Sequence, residues 1–72
     1  MLPLSMAGVG EKHMISRVTG KDDMRQHLAD LGFVPGESVE VISDTGDGDV
    51  IVNIKETRLG ITSQMASKIM VD

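Results

Sequence analysis

The sequence predicts a mainly β domain with one or two short helices, in which about five strands roll into a small barrel. Three observations carry that reading. Val50, Val52 and Ile54 alternate with Ile51, Asn53 and Lys55, the period-two pattern of a strand with one buried face. The stretch from Asp22 to Ile42 is punctuated as one helix, a two-part stop and the start of a strand. The third is scale: 72 residues hold a single core, which a barrel closed by pairing the chain ends would supply.

Each element follows from local chemistry. Leu2, Leu4 and Met6 alternate around Pro3 and Ser5, so this segment is an edge strand or a helical turn starting at Ser5. Ala7-Gly8-Val9-Gly10 makes a flexible corner. Lys12–Val18 is rich in β formers but alternates imperfectly. Met14, Ser16 and Val18 fall on one face, so Ile15 needs burial on the other or a bulge that re-aims it. Thr19-Gly20 ends this strand.

Met24, His27, Leu28 and Leu31 then recur at i, i+3, i+4 and i+7, one face of a helix. Asp22 and Asp23 offer acceptors and negative charge at its start. Gly32 suits a left-handed cap, and Phe33 can fold back as the accompanying apolar contact. Pro35-Gly36 suits the centre of a type II turn. The strand Ser38–Ile42 leaves that turn, and Ser43–Asp49 supplies hairpin-turn residues before the strand at Val50. Glu56-Thr57 reads as a turn into a short strand, Arg58–Ile61. Thr62 or Ser63 can cap one or two helical turns through Lys68, and Ile69-Met70-Val71 closes as the last strand.

Composition narrows function. There is no Cys, so no disulfide supports the fold, and the chain suits a reducing, cytoplasmic setting. The hydrophobic content is aliphatic, with six Met and Phe33 as the single aromatic. Net charge is −4, and the four Lys and three Arg are scattered rather than striped, which argues against nucleic-acid binding. No apolar run approaches the roughly 20 residues of a membrane span, and the N-terminus lacks a secretory pattern. Strand edges and a Met-rich surface could support homo-oligomers.

Chemistry has little to stand on. With no Cys and two His, no nucleophile–base pair is visible, and an enzyme is not expected. No cofactor is expected either. The loop Asp44–Asp49 clusters carboxylates, but a calcium loop's closing Glu position is Lys55, so a solvated hairpin tip is the better reading. His13 and His27 are weak metal candidates without a recognisable ligand spacing. His27 is expected half-buried at the rim, and Met24, Leu28 and Leu31 in the core. Phe33, Val34 and Leu59 are expected at the surface, because core packing does not demand them.

The segment Leu28-Ala29-Asp30-Leu31-Gly32-Phe33-Val34-Pro35-Gly36 resembles the Leu-x-x-Leu-Gly-(Leu/Phe)-x-Pro-Gly signature of ferrous iron transport protein A, the FeoA family. Ile61, Ala66, Ile69 and Val71 match that family's closing pattern; Leu4, Gly10, Ile15, Val18 and Gly20 match its opening. The resemblance covers essentially the whole chain. It departs at His27 and Thr62, where the family commonly has Arg. Each change removes a fixed positive charge.

What the resemblance implies is an SH3-like barrel, also similar to the C-terminal domain of DtxR-type metal-dependent repressors. It implies a small cytosolic accessory protein of ferrous iron uptake that acts by contact with the membrane transporter FeoB. The expected contact residues are Arg25, His27, Phe33, Val34, Arg58 and Leu59. The alternatives are a divalent-metal sensor using His13, His27 or the Asp44–Asp49 loop, and a general SH3-like interaction domain. The last is disfavoured by the single aromatic.

Overall fold

The computed structural model describes all residues, 1–72. Strands β1 (Leu2–Pro3), β2 (Lys12–Val18), β3 (Ser38–Asp44), β4 (Val50–Ile54), β5 (Thr57–Ile61) and β6 (Ile69–Val71) form one six-stranded antiparallel sheet. Its order is β1-β6-β2-β3-β4-β5. Helix α1 (Asp22–Asp30) bridges β2 and β3, and α2 (Ser63–Lys68) bridges β5 and β6. The sheet curls, since residues from β2 to β6 along it share one cluster of 13 buried side chains. That cluster contains no polar or charged residue.

The chain ends do pair. Leu2 lies opposite Val71 and Pro3 opposite Met70, which makes six strands rather than five. Pro3 sits at the sheet edge, where a missing N–H costs no ladder bond. Leu4–Met6 then turns as a single 3-10 helix that buries Leu4. Thus the opening segment is both an edge strand and a helical turn, and the helical turn starts one residue before Ser5.

In β2 the register shifts between Ile15 and Arg17. This bulge at Ser16 buries Ile15 and turns Val18 toward the core, leaving Arg17 exposed. A second shift, between Val41 and Ser43, leaves Val39 and Val41 buried and Ile42 half-buried on the other side.

The end of α1 is a full Schellman closure. Phe33 N–H donates to Leu28 C=O at 2.9 Å and Gly32 N–H to Ala29 C=O at 3.0 Å. Gly32 has φ of 107°, which a Cβ would strain although there is space for one. Val34 C=O then accepts from Glu37 N–H at 3.1 Å around Pro35-Gly36, with Gly36 φ at 92°, as a type II turn requires.

Two expectations reverse at this closure. Phe33, expected at the surface, has 0% exposure, while Leu31, expected in the core, is 38% exposed. The helix stops at Asp30, so Leu31 caps rather than continues the apolar face. The reversal at Gly32 swings Phe33 under the helix, into the same cluster as Leu28.

The β4–β5 hairpin turns on Lys55 and Glu56, one residue earlier than the sequence suggests, both with positive φ (50° and 63°). Such a turn favours Asn-Gly, because both central residues are left-handed. Lys55→Asn with Glu56→Gly should therefore raise stability by about 1 kcal/mol, seen as a higher urea midpoint with unchanged slope.

At α2, Thr62 is the N-cap: Met65 N–H donates to its Oγ1 at 3.1 Å. Thr62→Ala should cost about 1 kcal/mol in the same measurement.

Candidate functional site

The surface carries two openings, one on each side of α1. The first lies between the end of β2, the outer face of α1 and the turn at Pro35, with a volume of about 460 Å³. Its floor is apolar, made by Val18, Ala29, Val34 and Pro35 over the buried Phe33. Its rim is polar: Arg17, Arg25, Asp22 and Gln26.

The sequence builds this cleft from three local devices. The bulge at Ser16 aims Arg17 outward and Val18 inward. The Schellman closure places Phe33 beneath and Val34 at the wall. The Pro35-Gly36 turn is anchored to β2 on both sides, because Gly36 N–H donates to Ile15 C=O at 2.9 Å and Ile15 N–H to Glu37 C=O at 2.8 Å.

The rim is asymmetric in charge. Arg25 pairs with Asp22 one turn earlier on α1, and Gln26 is held by Asp30 at 2.9 Å. Arg17 makes no ion pair. An apolar floor with one unpartnered guanidinium above it suits an apolar segment that carries a carboxylate, which a planar guanidinium can bind bidentately.

The second opening, about 450 Å³, is lined by Lys21, Asp23, Met24, His27, Gln64 and Lys68. It is more polar, with one apolar residue. His27, expected half-buried, is exposed here. Helix α1 fully buries only Leu28, so the rest of its apolar face lies at the surface or partly covered.

The expected contact residues therefore divide among three places. Arg25 and Val34 share the first cleft, with Phe33 as its buried support rather than a contact. His27 lines the second opening. Arg58 and Leu59 sit on β5, an edge of the sheet, where Arg58 is exposed and Leu59 packs half-buried against the core. Reasoning from sequence missed Arg17 and Val18 as cleft residues. The broken alternation of β2 was their one local signal.

The histidines do not combine. His13 sits at one end of the barrel with Nε2 2.8 Å from a Glu11 carboxylate oxygen and Nδ1 against the backbone oxygen of Asp72. Glu11 first, and Asp72 second, hold the imidazole pKa above its ordinary value. The His13 hydrogen bond in turn holds the Glu11 carboxyl below its usual range.

The hairpin tip is also satisfied internally. Gly46 N–H donates to Asp44 at 2.6 Å, Ser63 N–H donates to Asp49 at 2.9 Å, and the Thr45 hydroxyl bonds Asp47. That hydroxyl, with the Asp49 backbone, lowers the Asp47 carboxyl pKa. No group of three or more His, Cys, Asp or Glu side chains is arranged to hold a metal ion. No helix is long and apolar enough to cross a membrane.

A small curled antiparallel sheet over an apolar core, with an apolar-floored cleft at its surface, defines a small SH3-like domain. The FeoA domain family matches residues 2–72, and the chain belongs to that family. The "Putative Fe(2+) transport protein A" of Methanocaldococcus jannaschii is 31% identical over 72 residues, which span all of this chain and 87% of that protein. An iron uptake regulatory protein (FeoA) crystal structure superposes with a TM-score of 0.89 at 30% identity, over 99% of this chain and 93% of its own. The zinc-complexed FeoA of Stenotrophomonas maltophilia, described as a prokaryotic SH3 domain protein, gives 0.86 at 25% identity, over 100% and 91%. The crystal structure of T. acidophilum IdeR gives 0.84 at 27% identity, over 97% of this chain and 32% of its own.

Proposed function

We propose that this domain is a cytoplasmic accessory of ferrous iron uptake that docks, without catalysis, on the cytosolic part of the membrane transporter FeoB. The family match over residues 2–72 supports the transport role. The cleft between β2 and α1 is the docking surface in this reading, because it joins an apolar floor to the unpaired charge of Arg17. Arg25 and Val34 contribute to the same surface.

A mobile catalytic set is not needed for such a role. The domain contributes a rigid shape whose contact shifts the transporter between conformations it already samples. The test is titration of the domain against the cytosolic GTP-binding part of a cognate FeoB and against the detergent-solubilised transporter, each with GDP and with a non-hydrolysable GTP analogue. Saturable binding to at least one of these is expected. No binding to any of the four would refute the reading.

A further inference from the structure

One side-chain cluster lies outside the cleft. His13, on the inward-facing side of β2, has both ring nitrogens against acceptors: a carboxylate oxygen of Glu11 and the backbone oxygen of Asp72. Neither acceptor can donate while Glu11 is ionised. A neutral imidazole has one N–H and can serve only one of them, whichever tautomer it adopts. Only the imidazolium satisfies both contacts.

The three groups come from separate parts of the chain. Glu11 ends the loop after the 3-10 turn, whose backbone is closed by Glu11 N–H donating to Gly8 C=O at 3.1 Å. Asp72 follows β6; its N–H donates to Met14 C=O at 3.0 Å, and its carboxylate accepts from the Ser16 hydroxyl at 2.5 Å. His13 thus links the loop, the bulged strand and the last strand at one end of the barrel. Its side chain is 18% exposed, against 56% for Glu11, so the imidazole is partly covered while its carboxylate partner stays open to solvent.

We propose that His13 is a protonation-controlled clasp: charged, it fastens the Gly8–Glu11 loop and the residue after β6 to β2; neutral, it releases one of them.

The charged groups around it support this assignment. From the loop comes Glu11, and from the end of β6 comes Asp72. On β3 its direct partner is the apolar Val39. Lys12 and its partner Glu40 lie on the opposite side of the sheet, where successive side chains alternate. The two residues that face His13 are therefore acidic, and no cation faces it.

The raised imidazole pKa fixes the direction. The stabilisation is complete below about pH 6.5, the ordinary imidazole value, and is lost as pH rises through the higher folded value. At the acid end the sign reverses, because Glu11 has a lowered pKa: its contribution is complete above the ordinary carboxylate value and fades as pH falls through the folded one. The clasp closes in mildly acidic solution and opens toward alkaline pH.

The experiment is an NMR pH titration of the His13 ring in the wild-type protein and in Glu11→Gln, with amide exchange of Asp72 followed over the same range. His13 should titrate above the ordinary imidazole value, and Glu11→Gln should lower its midpoint. The protection of the Asp72 amide, corrected for intrinsic exchange, should fall at least threefold as His13 deprotonates. In His13→Gln that pH-dependent step should vanish. A His13 midpoint at or below the ordinary value, a midpoint unmoved by Glu11→Gln, or Asp72 protection indifferent to the His13 step would each overturn the proposal.

Discussion

Phe33→Ala should destabilise the domain by about 3–5 kcal/mol, the cost of emptying a buried aromatic site. Phe33 is the largest of the fully buried side chains and the single aromatic in the chain. Truncating it removes more core volume than any aliphatic truncation here, and the cavity would lie beneath the α1 closure, where backbone hydrogen bonds resist collapse. A domain of 72 residues has a total stability of about 4–11 kcal/mol, so this single change consumes a large part of it. Urea unfolding followed by far-UV circular dichroism checks the result. A loss below about 1 kcal/mol would show that Phe33 does not support the core in solution.

Arg17→Glu should weaken binding to the FeoB cytosolic part by about tenfold or more, equivalent to about 1.4 kcal/mol, and leave the unfolding midpoint nearly unchanged. Arg17 is exposed and makes no ion pair, so its reversal costs the fold little. It stands over the apolar floor, so reversal sets a like charge against an acidic partner. Asp22→Asn should act the other way and tighten binding, because it frees Arg25 from its intramolecular partner. Arg58→Glu is the control: the same charge change on β5, separated from β2 by β3 and β4. Isothermal titration of the three variants checks the set, and equal losses for Arg17→Glu and Arg58→Glu would mean that net charge, not the cleft, governs contact.

The sequence was most informative where chemistry is local. Gly32 and Pro35-Gly36 announced the helix closure and the type II turn, because positive φ and fixed φ are properties of those residues themselves. Of the two hydroxyl residues the sequence offers as the second cap, Thr62 and Ser63, Thr62 is the one used. The imperfect alternation around Ile15 leaves two solutions, burial on the second face or a bulge, and the register shift after Ile15 shows that the bulge is used.

What was not legible depends on distant parts of the chain. Leu31 and Phe33 exchanged places because helical periodicity says nothing about a residue beyond the reversal. The strand Leu2–Pro3 is two residues long, so its bounds, unlike its place at a sheet edge, are set by its partner β6. Lys55 and Glu56 are poor formers of the turn they occupy; hairpin register places them there. The cleft was invisible for a related reason. Arg17, Arg25 and Val34 meet only when β2, α1 and the Pro35 turn come together.

The strand order has a kinetic consequence. β1 and β2, the first strands in sequence, do not pair with each other; β6, the last, lies between them. During synthesis β1 has no partner until residues 69–71 leave the ribosome, and half of the pairing surface of β2 stays open until then. The nascent chain can form the β3–β4–β5 meander early, through local pairings, but the sheet is completed only by a loop closure that spans nearly its whole length. Completion of the sheet therefore waits on β6, and exposed strand edges must be kept from other chains until it pairs.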